Sequence, residues 1–265
     1  MRFQLEYKCF GDSSKQAIFM IPGWAMPKES MQPLAEALSE HFYVVLADLP
    51  GITNNSDSVQ LTGLGINYDI DALTEQLLEI APDSSWWLGW SLGGTIAAYV
   101  AARRSSRVKG LITIASSPCF VKKEDWVMGM DDAVFDDFSQ KVDDSPEEGL
   151  RRFISLQTKG AKEPRALQKQ LIECVNPEAF NGLALNGALR LLKNLDVRRE
   201  YSLLGCPNLH IYGRNDVLVS SSVLSDLTQK SEMHKIAIMD DCAHQPFLEK
   251  LQKSKDLIEQ FIYAS

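Results

Sequence analysis

Trp86-Trp87-Leu88-Gly89-Trp90-Ser91-Leu92-Gly93-Gly94 decides the fold. Trp86 to Trp90 is short, bulky and without polar alternation, the pattern of a strand buried on both faces. From Leu92 to about Arg103 small and apolar residues run on without a breaker, which predicts a helix. Ser91 therefore stands at a strand-to-helix junction, flanked by Gly89 and Gly93. Such a junction holds the serine in a strained turn, and small neighbours let strand and helix approach closely. Its hydroxyl is then exposed over the helix N-terminus, where the dipole favours negative charge. G-x-S-x-G in this setting is a nucleophile elbow.

Outward from Ser91, short apolar runs alternate with longer amphipathic ones, the habit of a mainly parallel sheet covered by helices. Strands are expected at Phe3 to Phe10, Gln16 to Ile21, Phe42 to Ala47, Val108 to Ala115, Asn208 to Tyr212 and His234 to Met239. Helices are expected at Lys28 to His41, Tyr68 to Ile80, Ser220 to Gln229 and Pro246 to Tyr263. Asp48 to Thr62, rich in Gly, Asn, Ser and Asp, reads as loop. From about Cys119 to Leu195 the periodicity is helical throughout. The expected organisation is a core of residues 1–118 and 196–265, with 119–195 inserted as a helical cap.

The whole chain of 265 residues has an ordinary soluble composition, 45% hydrophobic and 23% charged. No apolar run reaches the roughly 18 residues that span a bilayer. The start, Met1-Arg2-Phe3-Gln4-Leu5-Glu6, lacks the apolar core of a signal peptide, so a cytoplasmic monomer is expected. Five scattered cysteines without a C-x-x-C pair support neither a zinc site nor a redox motif. A net charge of −8 argues against nucleic-acid binding through bulk electrostatics.

A serine hydroxyl needs a base to become a nucleophile near neutral pH. Of four histidines, His41 ends a helix, while His210 and His234 lie in strands; the first two read as packing residues. His244, in Asp241-Cys242-Ala243-His244-Gln245-Pro246, lies in the loop between the last strand and the last helix, at the sheet's carboxyl edge. The base needs a carboxylate to fix its tautomer. Asp216 follows the strand ending at Tyr212 and gives the order Ser, Asp, His. Asp240 and Asp241 are rivals but crowd His244 along one short loop. The oxyanion donors are expected to be the amides of Leu92 and of Trp24, which Gly23 brings close. Losing one such donor costs about 2.7–4 kcal/mol of transition-state stabilisation.

The elbow, Asp48-Leu49-Pro50-Gly51, Ala115-Ser116-Ser117-Pro118-Cys119-Phe120, Phe153-Ile154-Ser155-Leu156-Gln157-Thr158 and Ala243-His244-Gln245-Pro246-Phe247 together resemble the pimeloyl-acyl-carrier-protein methyl ester esterases of biotin synthesis. The matches run from end to end of the chain. The resemblance implies an α/β-hydrolase fold and a carboxylesterase that needs no metal or organic cofactor. It implies hydrolysis of the methyl ester of a seven-carbon diacid carried on acyl carrier protein, with Trp24, Leu92 and Phe153 beside the substrate. Pro22, where these enzymes usually carry histidine, and Asp48-Leu49-Pro50-Gly51-Ile52-Thr53-Asn54, without their second glycine, depart from the pattern. So does Glu148, near a position where an arginine would help dock the carrier.

Charge is uneven within 119–195. Residues 131–148 hold eight acidic side chains and one lysine, whereas residues 149–170 hold six basic ones and Glu163. Acyl carrier proteins are strongly acidic, so Arg151, Arg152 and Arg165 are candidate docking residues. An ordinary solvated helix face is the plainer reading of the same charges. Two other functions stay open: a general short-chain carboxylesterase, lactonase or C–C hydrolase, and a non-catalytic binding protein on the same fold. The aromatic-rich stretch Phe120 to Phe138 can line a substrate tunnel or simply pack a core.

Overall fold

The computed structural model describes residues 5–54, 68–176, 182–224 and 233–265. Seven strands form one sheet: β1 Tyr7–Phe10, β2 Ala17–Ile21, β3 Tyr43–Ala47, β4 Ser85–Trp90, β5 Val108–Ile114, β6 Asn208–Gly213 and β7 His234–Met239. Their order is β1-β3-β2-β4-β5-β6-β7, with β1 antiparallel to β3 and every other pair parallel. β4 lies fully buried at the centre, as its unbroken Trp86-to-Trp90 run requires. The mainly parallel sheet flanked by helices is the expected architecture.

The flanking helices are α1 Gln32–Leu38, α2 Ile70–Ile80 and α3 Leu92–Arg103. Asp69 caps α2 by accepting the amides of Asp71 and Ala72. α3 is buried from Leu92 to Ala101, which is why its sequence shows small residues rather than an amphipathic stripe. Between β5 and β6 come α4 Asp132–Asp144, α5 Pro146–Thr158, α6 Pro164–Glu173, α7 Gly182–Asn194 and the short α8 Arg198–Ser202. Cys119 and Asp196 form a bridge pair where the chain leaves and rejoins the sheet. After β7 come α9 Pro246–Glu249 and α10 Leu251–Tyr263.

Several elements differ from expectation. The first helix opens as a 3-10 turn, Lys28–Met31, and ends at Leu38. The last helix is broken at Lys250 (φ −140°, ψ 65°), whose ammonium donates to the Asp240 carbonyl. Helical structure after β5 begins only at Asp132. Residues 119–131 instead fold into a loop held by Val121–Met130 and Lys123–Trp126 bridges and by the Trp126 indole donating to the Cys119 carbonyl (2.8 Å). The described part of the expected Ser220-to-Gln229 helix is a 3-10 turn, Ser221–Leu224. Its remainder, Phe3 and Gln4 of the expected first strand, and most of the Asp48-to-Thr62 loop lie outside the described residues. All five cysteines are free thiols.

Candidate active site

Ser91 has φ 53° and ψ −120°, the strained turn that the elbow pattern predicts. Packing enforces it. A Cβ on Gly89 would lie 2.2 Å from the Gly93 carbonyl oxygen, and one on Gly93 would lie 2.3 Å from that of Ile21. Only glycine at both positions lets β4, α3 and β2 meet so closely. Leu92 is the first residue of α3, so its amide has no partner within the helix.

His244 and Asp216 are both buried, and His244 Nδ1 lies 2.7 Å from Asp216 Oδ2. A carboxylate can only accept, so Nδ1 carries the proton and Nε2 presents its lone pair. Nε2 is buried and has no hydrogen-bond partner among the described residues, Ser91 Oγ included. Catalytic hydrogen bonds of this kind are often long until substrate seats. Asp216 is itself fixed, because its Oδ1 accepts the amides of Leu218 (2.8 Å) and Val219 (3.0 Å). The two rival carboxylates are turned elsewhere: Asp240 accepts from Arg214 (2.5 Å), and the exposed Asp241 lies 3.9 Å from Lys250.

The His244 loop is tied to its surroundings by groups that sequence reading did not single out as functional. The Trp90 indole donates to the His244 carbonyl (2.9 Å), linking the loop to the residue before Ser91. The His244 amide donates to the Gln157 carbonyl (3.3 Å), and the Gln245 amide group donates to Gln157 Oε1 (2.8 Å). Gln157 follows Phe153 by one helical turn on the buried face of α5, and a polar residue on an apolar stripe was the available signal.

The Trp24 loop is anchored at both ends. Its indole donates to the Leu185 carbonyl of α7 (2.9 Å), and its ring meets Phe153 edge-on at 4.8 Å and Phe138 at 5.5 Å. A Cβ on Gly23 would come within 3.1 Å of Ser91 Cβ, which shows how near this loop passes. At its far end buried Asp48 accepts from the Lys28 amide (2.5 Å) and ammonium (2.8 Å). Burial pushes the Asp48 carboxyl up to about 6 against the attraction of Lys28.

A small apolar cavity of about 40 Å³ adjoins this loop, lined by Phe120, Phe135, Phe138, Phe153 and Leu218 among others, with Arg152 the one charged lining residue among the described residues. Trp126 is buried in the loop below, and Met128 is exposed. Arg151 and Arg152 are exposed on α5 and Arg165 on α6. Arg151 pairs with Glu147 of its own helix (3.0 Å), and Arg152 lies 3.9 Å from Asp137. His210 is fully buried between Thr113 (2.8 Å) and Asn208 (2.8 Å), a packing position with its pKa pushed down to about 3 by burial. His41, in contrast, is exposed rather than packed. Among the described residues no group of three or more His, Cys, Asp and Glu is placed to hold a metal ion. No described helix is long and apolar enough to cross a membrane.

Known proteins carry the same frame. The family model described as alpha/beta hydrolase fold matches residues 16–251. Solved structures with this fold include a bromoperoxidase from Bacillus anthracis (TM-score 0.85, 18% identity, 98% of this chain and 95% of that one). An esterase from Exiguobacterium antarcticum is similar as well (TM-score 0.80, 16% identity, 98% and 95%). At such identities these two speak for the fold alone. Sequence similarity is closer to two proteins of Klebsiella pneumoniae strains named pimeloyl-[acyl-carrier protein] methyl ester esterase. They are 35% and 34% identical to it, each alignment covering 87% of this chain and 87% of the relative. The strained serine turn and the buried histidine–aspartate pair on a seven-stranded sheet stand beside that sequence similarity, and the chain belongs to the α/β-hydrolase family, among the pimeloyl-[acyl-carrier protein] methyl ester esterases.

Proposed function

We propose that this protein is a serine carboxylesterase that hydrolyses the methyl ester of pimeloyl-acyl-carrier protein, giving methanol and the free ω-carboxylate needed in biotin synthesis. The observation that carries the chemistry is the Asp216–His244 pair, which leaves Nε2 as a buried acceptor on a loop tied by the indole of Trp90, the residue before Ser91. The 35% identity to a named methyl ester esterase supports the substrate. Ser91 Oγ attacks the ester carbonyl while His244 Nε2 takes its proton. The amides of Leu92 and Trp24 hold the tetrahedral oxyanion. Collapse expels methanol, which receives the proton from His244. Water, activated by the same base, then releases the acid from Ser91.

In this reading residues 119–195 form a cap, whose Phe153 and neighbours shape an apolar acyl pocket against Trp24. Free thiols throughout the chain support a reducing, cytoplasmic setting, and the enzyme is taken to act as a monomer. Arg151, Arg152 and Arg165 form the surface for the acidic carrier. Exposed charge pairs contribute only about 0.2–1 kcal/mol each, so the surface must act collectively and weaken in salt. Combining Arg152→Glu with Arg165→Glu is expected to raise KM for carrier-bound substrate about tenfold. An unchanged KM would remove these two residues from the surface.

The substrate is tested by methanol release. Carrier-bound pimeloyl methyl ester should be hydrolysed with a higher kcat/KM than p-nitrophenyl acetate. No release, with the small ester still cleaved, would keep the hydrolase and reject the carrier-bound substrate.

A further inference from the structure

Glu249, at the end of α9, is a half-buried carboxyl that the proposed reaction does not use. Its Oε1 accepts the amide of Ala243, the residue before His244, at 2.7 Å. Its Oε2 is buried with no hydrogen-bond partner among the described residues. The carboxyl also borders a cavity of about 260 Å³ between the start of α6 and the β7–α9 loop, lined by Lys162, Glu163, Asp241 and Lys250 among others. The charge of Asp216 also acts on it and raises its pKa.

We propose that Glu249 is a positioning residue for His244, holding the histidine loop through the Ala243 amide and adding a second negative charge that acts on the Asp216–His244 pair. The proposal rests on the reading of Ser91, His244 and Asp216 as a catalytic triad. Two consequences follow from the geometry. Loss of the acceptor frees the Ala243 amide and lets the base drift from the serine turn. Loss of the charge alone makes imidazolium less favourable, so His244 gives up its proton at lower pH.

The groups facing Glu249 set when that charge is present. Burial pushes its carboxyl up to about 7, and Asp216 adds to the rise. The Ala243 amide that it accepts, the nearby backbone of Lys162 and the Lys250 ammonium oppose it. Asp241 and Glu163 border the same cavity, and the buried Cys242 thiol beside it is pushed up to about 11, chiefly by burial. The carboxylate form of Glu249 is thus the one present above about 7.

The test compares Glu249→Gln and Glu249→Ala, using p-nitrophenyl acetate hydrolysis and the rate of serine labelling by a fluorophosphonate, both independent of the carrier protein. Gln keeps an oxygen for the Ala243 amide and removes the charge. Its kcat should fall no more than about threefold, and the acid limb of kcat/KM should move down by on the order of half a pH unit. Ala loses both, and kcat should fall about tenfold with KM little changed. An acid limb unmoved in Glu249→Gln, or equal kcat in the two variants, overturns the proposal. The near-isosteric Gln variant keeps it falsifiable if Ala does not fold, which thermal melting reports. If the wild type neither cleaves the ester nor labels, the triad reading falls and takes this proposal with it. A labelled, active wild type with unresponsive variants sinks the proposal alone.

Discussion

Ser91→Ala is expected to lower kcat by about a millionfold, the loss typical of removing a serine nucleophile. In the proposed reaction the oxygen removed forms the acyl bond, and among the described residues no other hydroxyl is held in the same strained turn at the start of α3. The fold should survive, because Ala25 and Ala115 already adopt φ of 55° and 47° in this chain, so alanine tolerates such backbone here. Melting temperature should therefore stay near the wild-type value while hydrolysis and fluorophosphonate labelling vanish. Substrate binding should persist, since the Trp24 loop and the Phe153 pocket are untouched. A variant retaining more than about one hundredth of wild-type kcat would show that Ser91 is not the nucleophile.

Asp216→Asn is expected to cost about 10⁴-fold in kcat with little change in KM. The two oxygens of Asp216 have different duties. Oδ1 accepts two backbone amides, from Leu218 and Val219, and Oδ2 faces His244 Nδ1. Asparagine must keep its single oxygen toward the two amides, because turning it would set its NH2 against them. The NH2 then donates to Nδ1, which moves the histidine proton to Nε2. With Nε2 protonated, His244 cannot take the proton from Ser91. NMR of the imidazole nitrogens checks the tautomer directly. An Asn variant with wild-type tautomer and wild-type kcat would show that Asp216 is not the orienting acid.

Much of the site was legible because elbow chemistry is local. Gly89, Ser91 and Gly93 are two residues apart, and the clash that selects them is read from spacing alone. The order Ser91, Asp216, His244 follows from each residue's place after a strand, since parallel strands bring all their carboxyl ends to one edge. Sequence reading also favoured Asp216 over Asp240 and Asp241, on loop length rather than contact. It did not reach Gln157, Glu249 or the anchoring of Trp24 to Leu185. These partners come from helices whose patterns report only that one face is buried. Nor did it show Arg151 paired with Glu147, an i,i+4 contact that offsets part of the basic stretch.

The helix boundaries show the same division. Lys28 to His41 and Pro246 to Tyr263 read as continuous helices, because periodicity is insensitive to a single residue leaving the helical region. Lys250 breaks the second, and the break leaves Glu249 at the end of α9, where its carboxyl reaches the Ala243 amide. By itself the sequence determined the sheet, the strained serine turn and the sheet edge to which Ser91, Asp216 and His244 belong, because short-range sterics and strand burial are written in neighbouring residues. Only the tertiary structure decided which carboxylate meets His244, what holds its loop and how Trp24 is seated. Those contacts join residues as far apart as 161 positions in the Trp24–Leu185 bond, and packing alone selects them.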